Sequence, residues 1–379
     1  MISLYTCSCE QDASVQAYAV RTLEMLRGVA LCNSVKSSEV ACSYLLNALP
    51  LVNSLLSTFA GAGMAPVVTR ILCVYECTAC NQLPFMAAAQ MDLFFQLAMT
   101  CLRTFIECTK SHGADRTGST LDSDHLIIIF STLRHILNKE LLGTAAADIR
   151  PSPVPSSITA TQFCLLSLGA LLPVLQGPTL EYAVVCRSFF IFFRDLAASA
   201  ADTVAILPVE QQGHILTIFR TALQHRDPAV LAVGLQAVLA VGEAAVRRLE
   251  MQRAAVSSDA TNSLPLQLFA AVLRVVCHPD PAQRVDLAAG HNDAVIAALQ
   301  PLISFAMRTP MPGFDSAFHA VVSDVVKDLQ MAGADASSVA AAFQKVWLAA
   351  VRPAVPLMPP DHKAVALMVS ALSATVSSR

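Results

Sequence analysis

Apolar residues recur along almost the whole chain at intervals of three and four, and alternation of period two is nearly absent. Ile215, Ile218, Phe219, Ala222 and Leu223 follow that spacing, as do Phe343, Val346, Trp347, Ala350 and Val351. A third stripe runs through Leu126, Ile129, Phe130, Leu133, Leu137 and Leu141, with Arg134, Lys139 and Glu140 elsewhere on the same segment. A period near 3.6 places each set on one side of a helix, so the chain reads as all-α. Breaks fall at Ser111 to Asp124, Val256 to Pro265, Arg308 to Gly313 and Arg352 to Asp361. Another, Gly143 to Ser157, carries Pro151, Pro153 and Pro155. These turn-forming stretches leave about fifteen helices. The expected division is a helical region 1–142, a Pro/Ser-containing linker 143–157 and a second helical region 158–379.

Only 14% of the 379 residues are charged, well below the roughly one quarter usual in soluble domains. Most helix faces must therefore be covered, by protein or by lipid. The uncharged stretches Val40 to Thr69 and Pro151 to Leu180 exceed the roughly 20 residues that span a bilayer. Asn47, Pro50, Asn53, Gly61, Gly63 and Pro66 interrupt the first, and Pro173 the second. The most apolar helix, Tyr182 to Leu196, carries Arg187 and Arg194 on one face, which suits a protein interior with a solvated edge. A single Trp leaves no aromatic belt, and Met1 to Asp12 does not show the basic start and apolar run of a secretory signal. No membrane partner is expected, and a multi-span membrane protein is the lesser alternative. The net charge of -3 lacks the basic excess of nucleic-acid binding, and the apolar content excludes a disordered chain. Twelve cysteines in 379 residues are too few for a disulfide scaffold. Cys32, Cys42, Cys101, Cys108, Cys164 and Cys186 lie within apolar helical stretches, so buried free thiols in cytoplasm or nucleus are expected.

An internal repeat bears on the architecture. His225-Arg226-Asp227-Pro228-Ala229 recurs as His278-Pro279-Asp280-Pro281-Ala282, each just after an apolar helix (Ile215 to Leu223; Leu266 to Val276). In both, Asp can cap a helix whose first residue is Pro, where no amide donor is needed. The following helix, Pro228 to Leu249, is apolar on two sides: Leu231, Leu235, Val238 and Val246, then Val230, Val233, Ala237 and Val241. Such a helix lies between neighbours, as stacking of helix pairs requires. Ala232, Gly234, Ala237, Ala240 and Gly242 permit close approach, although glycine inside a helix costs about 1 kcal/mol against alanine. The expected fold is an α-solenoid of about seven HEAT-like antiparallel helix pairs.

Chemistry-bearing motifs are weak. His225-Arg226-Asp227 copies three letters of a kinase catalytic loop, but Ala232 stands where the metal-binding Asn belongs. Gly61-Ala62-Gly63 begins like a dinucleotide fingerprint, yet Pro66 replaces the third Gly and a helix, Leu45 to Phe59, precedes it. Cys73, Cys77 and Cys80 fall at i, i+4 and i+7, a possible thiolate cluster; Ile71, Leu72, Val74 and Tyr75 mark the helix as interior, which favours core thiols. Cys7-Ser8-Cys9 sits near a chain terminus, and Cys277-His278 lacks an orienting third group. Arg247, Arg248, Glu250 and Arg253 form a solvated helix end. No enzyme activity, catalytic residue, metal ligand or cofactor is expected.

From Leu207 onward the chain resembles the exportins of the importin-β (karyopherin-β) superfamily. The stretch Leu207-Pro208-Val209-Glu210-Gln211 leads into Ile215-Leu216-Thr217-Ile218-Phe219-Arg220-Thr221-Ala222-Leu223, a short turn, then Leu235-Gln236-Ala237-Val238-Leu239. That order is similar to C-terminal HEAT repeats of the family. Leu165 to Phe193 is similar to the pair before it, and Phe343-Gln344-Lys345 with Pro356 to Lys363 is similar to the end of the exportin-4 subfamily. The resemblance implies a nuclear export receptor, or its C-terminal part since the family's chains are far longer. It would hold the small GTPase Ran in its GTP form together with a protein cargo, with translation factor 5A a candidate, meet nuclear pore proteins, and move between nucleus and cytoplasm. The match is to helices, so no partner-binding residue carries over. The alternative is a general HEAT or armadillo scaffold not tied to transport.

Overall fold

The computed structural model describes residues 9–32, 35–60, 65–113, 123–146, 158–175, 177–200, 204, 207–225, 227–251, 264–276, 292–308 and 312–331. Among them the secondary structure is entirely helical, with no strand. In chain order the α-helices are α1 (Cys9–Ala30), α2 (Val35–Ala60), α3 (Ala65–Cys77), α4 (Ala88–Gly113), α5 (Ser123–Ala146) and α6 (Ala160–Leu171). They continue with α7 (Ala183–Ser199), α8 (Val209–Leu223), α9 (Pro228–Met251), α10 (Leu264–Val276), α11 (Asn292–Arg308) and α12 (Pro312–Met331). The all-α expectation is met. The second copy of the repeated turn, His278 to Ala282, Cys277, and the expected helix around Trp347 lie outside the described residues, as do residues 147–157 of the expected linker 143–157, whose first four residues close α5.

The chain forms two compact units, Met1–Phe192 and Phe193–Arg379, and the division falls inside α7. Within the first, α1 packs on α3 and α3 on α5, while α2 packs on α4 and α4 on α6. Sequence neighbours α1 and α2, α2 and α3, and α5 and α6 touch as well. Within the second unit α8 packs on α10 and α10 on α12, and α9 packs on α11. Among α1–α6 and among α8–α12 one rule repeats: helices two apart in sequence pack on each other, and several sequence neighbours touch as well.

Local chemistry sets the helix ends. Thr159 and Gln162 make a capping box at α6: the Gln162 amide donates to Thr159 Oγ1 (3.1 Å) and the Thr159 amide to Gln162 Oε1 (3.0 Å). Asp227 caps α9 as its sequence predicts, its carboxylate accepting from the Ala229 amide at 2.8 Å ahead of Pro228. His225 belongs to the same turn, its Nδ1 accepting from the Asp227 amide at 3.0 Å. At the end of α1 the cap is remote: Gln82 Nε2 donates to the carbonyls of Ala30 (2.9 Å) and Cys32 (2.7 Å).

Aromatic rings fill the interiors. In the first unit Phe95 stacks on Phe163 with centroids 5.0 Å apart, and Phe130 meets Phe189 and Phe192 at 5.7 and 6.0 Å, which joins α5 to α7. In the second, Phe269 meets Phe318 at 5.0 Å, and Arg274 pairs with Asp328 at 2.7 Å, both contacts tying α10 to α12. The stripes at Leu126, Ile129, Phe130, Leu133 and Leu137 and at Ile215 to Leu223 are buried as the periodicity requires. On α9 both apolar sides are covered, Val230, Ala237 and Val241 as well as Leu231, Leu235 and Val238, with Val233 and Val246 half-buried.

The α9 glycines sit at real close approaches, but each leaves room for a methyl group. A Cβ on Gly234 would lie 3.6 Å from Phe219 Cε2, and one on Gly242 would lie 3.5 Å from Pro301 Cβ, both ordinary contact distances. Gly234→Ala and Gly242→Ala should each stabilise the chain by about 0.5–1 kcal/mol, since alanine restricts the unfolded backbone and favours the helix. Gly242→Leu should cost about 1–3 kcal/mol by overpacking. Urea midpoints test both, and destabilisation by the alanines would show the packing to be tighter than these distances.

Candidate functional site

The most polar part of the first unit's interior is built on a change of helical winding. After α3 the chain continues without a break into a π-helical turn, Thr78–Gln82, then a 3₁₀ turn, Leu83–Phe85, with Pro84 inside it. Thr78 Oγ1 donates to the Val74 carbonyl at 2.7 Å, holding the start of the wide turn. The turn delivers Gln82, fully buried, to the end of α1, where its amide makes the remote cap. Cys42 on α2 donates from Sγ to the Gln82 main-chain carbonyl (3.6 Å) and to Gln82 Oε1 (3.7 Å). Lys139 on α5 reaches the adjacent main-chain carbonyl, Leu83, and lies 2.9 Å from Met91 Sδ on α4. Five elements therefore meet at one turn.

The sequence reading set Lys139 off the apolar stripe of α5, with Arg134 and Glu140. Lys139 is only part-exposed, and its ammonium is held by a carbonyl and a thioether with no carboxylate paired to it among the described residues. Burial disfavours the charged form and moves its pKa from 10.5 down to about 8, against a smaller opposing pull from Cys42. Burial in turn pushes the Cys42 thiol up, with Lys139 pulling the other way. A second polar knot joins α2, α3 and α4: Tyr75 Oη donates to Asn53 Oδ1 (2.8 Å) and Asn53 Nδ2 to the Leu97 carbonyl (3.0 Å). Tyr75 is deeply buried and its phenol is held well above the ordinary range by desolvation. Beside it lies an apolar cavity of about 40 Å³, bounded by Tyr75, Cys101, Thr132 and Phe163 among others.

The cysteine row departs from expectation. Cys73 and Cys77 are half-buried and Cys80 exposed, so these are not core thiols; Cys32 is exposed and Cys108 half-buried, whereas Cys42, Cys101, Cys164 and Cys186 are buried as expected. The row stays near the surface because the buried face of α3 is made by Val67, Val68, Ile71, Leu72, Val74 and Tyr75. Among the described residues no three His, Cys, Asp or Glu side chains are grouped to hold a metal ion. Arg27 of α1 pairs with Glu24 at 3.3 Å, and the nearby Cys77 and Glu24 raise its pKa. Glu24 in turn pairs with Arg70 of α3 at 2.7 Å. The basic end of α9 is solvated as expected, with Arg247 and Glu250 exposed and Arg248 half-buried.

On the surface, large apolar side chains concentrate on α1 and α2. Tyr18 and Met25 are each 75% exposed, Val40 is 72% exposed and Leu51 70%, with Tyr44 exposed between them. Ala19, Leu23, Leu26 and Ala30 make the buried side of α1, and Leu45, Leu49, Val52 and Leu56 that of α2. Among the described residues, Ser37–Phe59 in α2 and Pro228–Met251 in α9 are long and apolar enough to cross a membrane by length and composition. The α9 stretch is mostly buried inside its own unit. No protein-family model matches this chain, and no curated protein matches it.

Gln82, Arg27 and the buried state of Lys139 escaped the sequence reading; the one available signal was Pro84, which marks the end of regular winding after α3. Lys139 gives a pH test. The unfolded side chain holds its proton to about pH 10.5 and the folded one to about pH 8, so between these values the unfolded chain binds more protons. The penalty is full below pH 8 and is relieved as pH rises toward 10.5. The buried thiols work oppositely, Cys101 and Cys186 being pushed up to about 12. The comparison must therefore be a difference between wild type and Lys139→Met. The methionine variant's stability relative to wild type should fall by on the order of 1 kcal/mol from pH 7 to pH 10, allowing for solvent screening. A pH-independent difference in urea unfolding would place the charge in water.

Proposed function

We propose that this protein works by recognising other proteins, as an α-solenoid of HEAT-like helix pairs, and that its chemistry is that of binding. The observation that carries this reading is the repeated contact rule, α1 on α3 on α5 beside α2 on α4 on α6, with its counterpart in the second unit. Stacking of two-helix repeats produces that rule, because each pair covers the apolar flank of the next. Solenoids of this kind offer long surfaces and flex through small changes between neighbouring repeats, so partners that favour one curvature bind cooperatively. The polar knots of the first unit hold helices together, and their groups bond to one another and to main-chain carbonyls in a closed interior.

Within this reading the export-receptor branch is supported by the resemblance of Leu207 to Leu239 to exportin HEAT repeats. It makes Ran in its GTP form and a protein cargo, translation factor 5A among the candidates, the partners to try, with nuclear pore proteins in transit between nucleus and cytoplasm. The general scaffold keeps the architecture and drops Ran.

Two measurements separate these readings. A compact globule of this length has a radius of gyration of about 21 Å, whereas a stacked superhelix exceeds it. Small-angle scattering should give the larger value, and a value at the compact limit would remove the solenoid. Binding of the purified chain to Ran loaded with a non-hydrolysable GTP analogue should exceed binding to Ran-GDP and rise further with cargo. Equal binding of the two nucleotide forms would remove the transport branch and leave the scaffold. The exposed apolar stripe of α2 favours membrane attachment as a second reading; release of the expressed chain by alkaline carbonate argues against it, and retention until detergent is added would establish it.

A further inference from the structure

On the free side of α2 the exposed residues Val40, Tyr44, Asn47, Leu51, Ser54 and Thr58 follow one another at intervals of four, three, four, three and four. That is the spacing of a coiled-coil seam, by which one helix winds around another. The opposite side of α2, with Leu45, Leu49, Val52 and Leu56, is buried in the first unit, so the seam faces outward. Covering it strands few polar groups. Ser54 Oγ donates to the Pro50 carbonyl at 3.1 Å and Thr58 Oγ1 to the Ser54 carbonyl at 3.0 Å, both within α2 itself.

Charge and symmetry decide what covers the seam. α2 has no charged residue after Glu39, whereas the exposed sides of α1 and α4 carry Arg21 and Arg103 with Glu107. Charges flanking a two-helix seam choose its partner; here the flanks are Ser43, Ala48, Pro50 and Leu55, so nothing repels a second copy of the chain. The seam is also complementary to itself when reversed. With two copies antiparallel about a two-fold axis between Tyr44 and Asn47, Val40 lies opposite Leu51 of the second copy and Tyr44 opposite its Asn47. Apolar then meets apolar, and the largest side chain of the seam meets a small amide that both donates and accepts. Parallel pairing would set Tyr44 against Tyr44.

We propose that the chain forms a homodimer in which the α2 helices of two copies pair antiparallel through Val40, Tyr44, Asn47 and Leu51. The dimer requires neither transport nor Ran, and it covers with protein the side chains that lipid would cover in the membrane reading. A contact one helix wide buries less than the roughly 1,600 Å² of a standard interface, so the association is weak and depends on concentration.

Sedimentation equilibrium of the full chain in detergent-free buffer tests this. Over about a hundredfold range of concentration the mass should rise from 40.3 kDa toward twice that value. Val40→Lys and Leu51→Glu should each weaken the dimer about tenfold or more, with unchanged far-ultraviolet circular dichroism, because each sets a charge against an apolar side chain at the centre of the contact. The chain carrying both changes should return to within about threefold of wild type, since Lys then faces Glu at both ends of the seam. Met25→Glu on α1 should dimerise as wild type does. A monomer at every concentration, a dimer indifferent to Leu51→Glu, or a double variant no stronger than the single ones overturns the proposal. So does a monomeric wild type that floats with phosphatidylcholine vesicles, which would give the seam to lipid.

Discussion

A helix with apolar residues on two sides has to be covered twice, and a chain this poor in charge is made largely of such helices. One neighbour cannot do it: α9 buries Val230 and Val241 together with Leu231 and Leu235, and it touches α8, α10 and α11. The arrangement in which helices two apart in sequence pack together, with several successive pairs touching as well, supplies cover on more than one side without a central layer. Burying one large apolar side chain contributes about 1.5–3 kcal/mol, so leaving a flank of α5 uncovered at Phe130, Leu133 and Leu137 would cost about 5–9 kcal/mol, comparable to the net stability of a domain. The packing rule is thus a consequence of composition as much as of topology.

Within the first unit that rule is reinforced by polar groups at one point. Apolar stacking alone tolerates sliding of one helix past another, because it is non-directional. Hydrogen bonds do not. The π turn turns Gln82 inward so that α1 ends where its last carbonyls find amide donors, and α2 and α5 are pinned to the two successive carbonyls of Gln82 and Leu83 by Cys42 and Lys139. Tyr75 and Asn53 do the same between α2, α3 and α4. The buried ammonium is the costly member of the set, and its lowered pKa is the measure of that cost.

How much of this was legible in the sequence depends on range. The stripes of α5 and α8 follow from periodicity alone, because each buried side is set by residues three and four apart. The Asp227 cap was legible for the same reason, since donor and acceptor are two residues apart. The π turn was not: Thr78 to Gln82 contains neither Gly nor Pro, and the widening is decided by what Gln82 finds 52 residues upstream. The partial burial of Lys139 was not legible, because nothing nearby in sequence reveals that the carbonyl it meets lies 56 residues away. The cysteine row was read at the correct spacing and on the wrong side of the helix, as α3 carries enough apolar residues to bury a face without its thiols.

The same contrast is part of what supports the proposed binding role. Catalytic groups need polar atoms that are positioned yet left available to a substrate. Here the positioned groups are consumed: Gln82 donates both amide protons to main-chain carbonyls, Tyr75 and Asn53 satisfy each other, and Lys139 is taken up by Leu83 and Met91. What remains available lies outside, as apolar side chains such as Tyr18, Met25, Val40, Tyr44 and Leu51 on the helices' free sides. A tyrosine offers a large contact area with one polar tip and a methionine adapts its shape, the residue kinds that partner surfaces favour. An interior that locks helices and an exterior that keeps apolar side chains exposed are the two features the proposed scaffold would use.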